Sequence, residues 1–167
     1  GEGDEVIIPS LTFTATAEVV SYLNADVKLV DIDSQTLNID VNKIRLAITP
    51  KTKAIIVVHY AGLSCNMDEV LLLAKEFQLK VVEDAAHALP SFYKASIIGA
   101  LHSDATVFSF YANKTMTTGE GGMVVSRNSD LIKRIKIMRL HGIDRDVFDR
   151  FQSNKPSWYY EVVAPGF

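Results

Sequence analysis

The run Lys53-Ala54-Ile55-Ile56-Val57-Val58-His59 is the feature that most limits what this chain can become. With almost no polar interruption, it predicts a central strand covered on both faces rather than one with a face left to solvent. Short apolar strands are predicted also at Glu5–Pro9, Val27–Asp31 and Leu79–Val82, the last closing on Glu83-Asp84. Between them the apolar spacing turns helical. Thr14 to Leu23 is one such stretch. Asp40 can cap a short helix with Val41, Ile44 and Ile48 on one face. Asn66 and Glu69 form a capping-box-like start to a helix in which Val70, Leu71, Leu73, Ala74 and Phe77 recur at helical intervals. Strand alternating with helix, the strands being continuously apolar, predicts an α/β fold: a mostly parallel sheet flanked by helices.

Two further strands, Ala105–Tyr111 and Gly122–Ser126, bracket a polar loop with Lys114, Thr115, Thr117, Thr118 and the turn Gly119-Glu120-Gly121-Gly122. The loop is too short for the crossover that parallel neighbours need, so this pair is expected to be antiparallel. Asn128, Ser129 and Asp130 then introduce a helix with Leu131, Ile135 and Met138 inward, Lys133, Arg134, Lys136 and Arg139 outward, and Gly142 as its stop. The α/β pattern thus covers residues 1–142, and 143–167 reads as an extended, aromatic-containing segment. Both ends look cut from something longer.

A net charge of -3 argues against nucleic acid or an anionic membrane surface as the main partner. No apolar run reaches the length of a spanning helix, and no signal peptide opens the chain. A single cysteine, Cys65, leaves no intrachain disulfide and fits a reducing, cytoplasmic compartment. His59, His102 and His141 with Cys65 match no metal-ligand spacing, so no metal is expected. Gly119-Glu120-Gly121-Gly122 neither matches G-x-G-x-x-G nor opens a helix, which removes a dinucleotide fingerprint.

In parallel sheets ligands bind beyond the carboxyl ends of the strands. Phe13, Asp84, His87, Ser109 and Lys114 all fall there. Each has an ordinary reading: Phe13 as core, Asp84 as the cap of the next turn, His87 as a hydrogen-bonded histidine, Ser109 as a small filler, Lys114 as a solvated loop residue. Together they are the residue types that pyridoxal phosphate requires. A lysine forms its imine, a carboxylate keeps its pyridine nitrogen protonated, a flat side chain stacks on the ring, and hydroxyls hold the phosphate.

The stretches G-D-E-V-I-I-P-S-L-T-F-T-A-T-A, V-V-E-D-A-A-H-A, F-S-F-Y-A-N-K-T-M-T-T-G-E-G-G-M and M-R-L-H-G resemble the DegT/StrS-type nucleotide-sugar aminotransferases, fold type I enzymes that depend on pyridoxal phosphate. The resemblance covers essentially the whole chain. It implies that Lys114 forms the internal aldimine, Asp84 pairs with the pyridine nitrogen, His87 lies near the ring hydroxyl, Phe13 stacks on the ring and Ser109 binds the phosphate. It implies transfer of an amino group from an amino acid, glutamate above all, to a nucleotide-linked keto sugar of the 4-keto-6-deoxy type, within polysaccharide biosynthesis. Relatives that dehydrate sugars carry histidine at the position of Lys114, so the lysine points to transamination. A homodimer is implied, with the active sites at its interface. Family members are longer at both ends, so residues 1–142 correspond to the cofactor-binding large domain without its first segment, and 143–167 leads toward a small domain. Weak cofactor binding, or none, by this chain alone is the matching expectation, unless another chain supplies the missing parts. The competing expectation is a non-catalytic relative that keeps the fold as a binding or regulatory module.

Overall fold

In the computed structural model, which describes residues 1–144 and 160–167, the apolar runs become the strands of one six-stranded sheet. Its strands are β1 (Glu5–Pro9), β2 (Asp26–Val30), β3 (Thr52–Val58), β4 (Lys80–Asp84), β7 (Ala105–Ser109) and β8 (Gly122–Val125). A small antiparallel hairpin, β5 (Phe92–Tyr93) and β6 (Ser96–Ile97), stands apart and was not foreseen from the sequence. The helices are α1 (Thr14–Ser21), α2 (Val41–Ala47), α3 (Met67–Phe77) and α4 (Ser129–Met138). Among the described residues no helix is long and apolar enough to cross a membrane.

The strand order is β2-β1-β3-β4-β7-β8. All pairings are parallel except β7 with β8, which is antiparallel as the short loop requires. Successive strand residues point to opposite faces, and the two cores follow that alternation. Ile7, Ile55, Val57 and Val81 pack with Ile44 of α2 and Met67, Val70, Leu73 and Ala74 of α3. Their neighbours Ile8 and Ile56 pack on the other face with Val20 of α1, and the half-buried Ala17 and Val82 join them. A third cluster, Ala85, Ala88, Ile98, Phe108 and Phe110, lies beyond β4 and around β7. This two-sided cover is why β3 carries no polar alternation.

Asp40 caps α2 as expected, its carboxylate accepting the Asn42 N–H at 2.9 Å. The cap foreseen at Asn66 does not form. The Asn66 carboxamide oxygen instead accepts the Tyr93 hydroxyl at 2.9 Å, and that hydroxyl takes the Asp68 N–H at 3.3 Å. A side chain from the unforeseen hairpin thus stands between the cap and the helix.

The chain divides into two compact units, Gly1–Val125 and Ser126–Phe167. In the second, Asn128 caps α4 by accepting the N–H groups of Asp130 and Leu131 at 3.0 and 3.1 Å. Gly142, at φ +77°, ends the helix by donating to the Ile137 carbonyl at 3.0 Å. A Cβ there would lie 1.7 Å from the Ala164 carbonyl oxygen, so glycine is required twice over. The chain end closes back on the helix, Phe167 N–H donating to Met138 O at 2.8 Å. Most of the segment 143–167, with Trp158 and Tyr159, lies outside the described residues.

Candidate active site

Where β1, β3, β4 and β7 end, α1 covers the sheet face only in part, and a cavity of about 820 Å³ opens there within the first unit. Its floor is the alternate residues of three adjacent strands: Ile56 and Val58, Val82 and Asp84, Val107 and Ser109. Phe13, Thr16 and Val19, at the start of α1, form one wall. Tyr60, His87, Tyr111, Asn113 and Lys114 complete the rim. All five residues singled out in the sequence therefore line the same cavity.

Asp84 closes β4 on the same face as Val82, half-buried. Its Oδ1 accepts the Ala86 N–H at 3.1 Å, so the ordinary capping role is real. Its Oδ2 accepts the Thr16 hydroxyl, also at 3.1 Å. Phe13 is not core: it is 77% exposed, an aromatic face held out at the entry to α1. His87 is exposed and meets Tyr60 edge-on, the ring centroids 6.4 Å apart. Ser109 ends β7, and its oxygen accepts the Tyr111 N–H at 3.3 Å without consuming the hydroxyl proton.

Lys114 sits on the loop after β7, half-buried. The loop is tied at its base: Thr118 N–H and the Thr117 hydroxyl both donate to the Phe110 carbonyl, each at 3.0 Å, and Phe110 N–H donates to Gly121 O at 2.8 Å. Gly121 lets the Thr118 hydroxyl pass where a Cβ would stand 2.4 Å from it, so this glycine serves the loop's own packing. Among the described residues no carboxylate pairs with the Lys114 ammonium.

An apolar floor, a projecting aromatic face, one carboxylate and one lysine suit a flat ring that carries a cationic nitrogen and an electrophilic carbon. Pyridoxal phosphate has that form, and the donor set fits it.

Under the opposite face lies a pairing that the sequence had not signalled. His59 and Glu83 are both wholly buried, with Nε2 and Oε2 2.8 Å apart. His59 Nδ1 accepts the Cys65 N–H at 3.1 Å, which leaves the ring proton on Nε2 to be donated to Glu83. The other carboxylate oxygen takes the hydroxyls of Ser103 and Thr106, the latter at 3.0 Å. Burial pushes the Glu83 carboxyl up, but the hydrogen bonds from His59, Ser103 and Thr106 outweigh it and hold it below the ordinary range. Adjacent Glu83 and Asp84 could have signalled this, since neighbouring strand residues must face opposite sides. Burial pushes the Cys65 thiol up to about 12. Among the described residues no cluster could hold a metal ion.

The family model for DegT/DnrJ/EryC1/StrS aminotransferases matches residues 1–164. An uncharacterized protein of Methanocaldococcus jannaschii is 52% identical over 164 residues, 98% of this chain and 42% of that protein. The spore coat polysaccharide biosynthesis protein SpsC of Bacillus subtilis is 47% identical over 167 residues, all of this chain and 42% of the relative. Among solved structures, the PMP-form of the putative sugar aminotransferase Spr1654 from Streptococcus pneumoniae superposes with a TM-score of 0.87 at 34% identity, over 100% of this chain and 46% of that one. The chain thus spans less than half the length of the relatives it matches.

Proposed function

The chain belongs to the DegT/DnrJ/EryC1/StrS aminotransferase family, and from that premise we propose that it forms the cofactor-binding part of a pyridoxal-phosphate-dependent sugar aminotransferase. The observation that carries this is the convergence of Lys114, Asp84 and the exposed ring of Phe13 on one cavity. The proposed reaction moves an amino group from an amino acid, glutamate in the first instance, to a nucleotide-linked keto sugar of the 4-keto-6-deoxy type. The relatives' names, which include a sugar aminotransferase and a polysaccharide biosynthesis protein, support the sugar class. A cytoplasmic homodimer belongs to the same proposal.

When bound, pyridoxal phosphate supplies an electron sink for the charge left as a proton leaves the substrate carbon. The residues divide the remaining work. Lys114 would anchor the cofactor through Nζ, and the same amine, when free, would carry the proton that leaves the substrate carbon. Asp84 would face the ring nitrogen with its carboxylate. Phe13 would offer its face to the ring, and His87 would lie beside the ring hydroxyl. The Ser109 O–H would be the donor for the phosphate. The apolar floor of Ile56, Val58, Val82 and Val107 would keep water from the bound ring.

The test is an absorbance spectrum after adding pyridoxal phosphate and desalting, beside a Lys114→Ala control. A visible band that is lost on borohydride treatment, absent in the variant and bleached by glutamate is the expected result. A band that persists equally in Lys114→Ala overturns the assignment of the lysine. No band in the parent chain leaves the family assignment standing for the fold and overturns the reading of this chain alone as a working enzyme.

A further inference from the structure

Asp84 is reached by a directed chain of hydroxyls. Thr16 is 5% exposed, and its Oγ1 lies 3.1 Å from Asp84 Oδ2 and 2.7 Å from Thr12 Oγ1. A carboxylate only accepts, so the single Thr16 proton is committed to Asp84. Thr16 must then accept from Thr12, and the order of donation is Thr12 to Thr16 to Asp84. Such a chain polarises each hydroxyl toward the next, strengthening the terminal bond on the carboxylate. Ala86 N–H occupies the other oxygen at 3.1 Å, so each Asp84 oxygen has one fixed donor and keeps capacity toward the cavity.

We propose that Thr16 is a positioning residue, backed by Thr12, that keeps the Asp84 carboxylate turned toward the ligand. The placement follows from the fold. Thr12 and Phe13 lead into α1 and Thr16 lies in its first turn, where Thr16 N–H donates to Phe13 O at 3.1 Å. One turn therefore both presents the aromatic face and orients the carboxylate beneath it. With each oxygen held by one donor, the carboxylate cannot rotate freely, and an oriented carboxylate is what a cationic ring nitrogen needs. The relevance to catalysis rests on the aminotransferase reading; the hold on Asp84 does not.

The experiment is carbon-detected NMR of the Asp84 carboxyl resonance in the cofactor-free chain at one fixed, neutral pH, with uptake of pyridoxal phosphate followed separately by absorbance. Thr16→Val is expected to move that resonance from its parent position, because one carboxylate oxygen loses its fixed donor. Thr16→Ser restores the parent position, and Thr12→Val moves it by less. If Thr16→Val does not fold, Thr12→Val carries the test, because it leaves Thr16 in place. An Asp84 resonance unmoved in Thr16→Val, or in Thr12→Val where that variant stands alone, overturns the proposal even if the cofactor binds. The expected shifts without cofactor uptake support the hold on Asp84 and count against the cofactor reading alone.

Discussion

His59 Nε2 donates to Glu83 Oε2 across 2.8 Å, and neither side chain has any contact with solvent. The neighbour of Glu83 in the chain, Asp84, faces the cavity on the other side of the sheet, and His59 N–H donates to the Asp84 carbonyl at 3.0 Å. The buried pair thus holds the end of β4 from below while Thr16 holds the Asp84 side chain from above.

Removing the acceptor from a buried hydrogen-bond cluster strands its donors. Glu83→Ala leaves the His59 N–H and the hydroxyls of Ser103 and Thr106 without their acceptor. A loss of about 1–3 kcal/mol in urea unfolding is expected. Glu83→Gln keeps one acceptor oxygen and should lose less.

The same carboxyl makes stability depend on pH. Its folded value lies below the ordinary 4.5. The unfolded chain therefore takes up the proton first as pH falls. The contribution is complete above 4.5 and is lost as pH drops through the lower, folded value. Urea midpoints measured from neutral pH down to acid should fall in that window, and the fall should be shallower in Glu83→Gln.

Asp84→Asn keeps an oxygen for one donor but removes the charge that faces the cavity. Under the proposed function, uptake of pyridoxal phosphate, followed by absorbance, is expected to weaken by ~10-fold or more, the size of one charge-assisted contact. The fold, read by circular dichroism, should be retained, since Asp84 is only half-buried.

Cys65 is 1% exposed, its thiol is pushed up to about 12, and it donates to the Val58 carbonyl at 3.2 Å. Iodoacetamide should leave it unmodified in the native chain and label it only in denaturant. Rapid native labelling would show that the packing beneath β3 opens.

Gly142→Ala sets a Cβ into the Ala164 carbonyl and an alanine at φ +77°. A cost of about 1–3 kcal/mol is expected in the Ser126–Phe167 unit. Hydrogen exchange should accelerate there, at the Phe167 and Val163 amides that close on Met138 and Gly142.

Much of the architecture was legible because it rests on period and length. Five parallel strands and one antiparallel return follow from continuous apolar runs, helical spacing between them and the short loop after β7. The caps at Asp40 and Asn128 are local hydrogen bonds and were readable for the same reason. The cap at Asn66 was not, because Tyr93, 27 residues away in sequence, takes its place. Phe13 could be read as core or as platform, since apolar character alone does not say whether a neighbour arrives to cover it.

By itself, then, the sequence determined the fold class, the end of the sheet where a ligand could bind and the residue types gathered there, because these depend on periodicity and on near neighbours. Only the tertiary structure decided that Phe13 stays uncovered, that Thr16 reaches Asp84 across 68 residues and that His59 meets Glu83 across 24. Those contacts arise when helices and strands distant in sequence become adjacent in the fold, and a linear pattern holds no record of that adjacency.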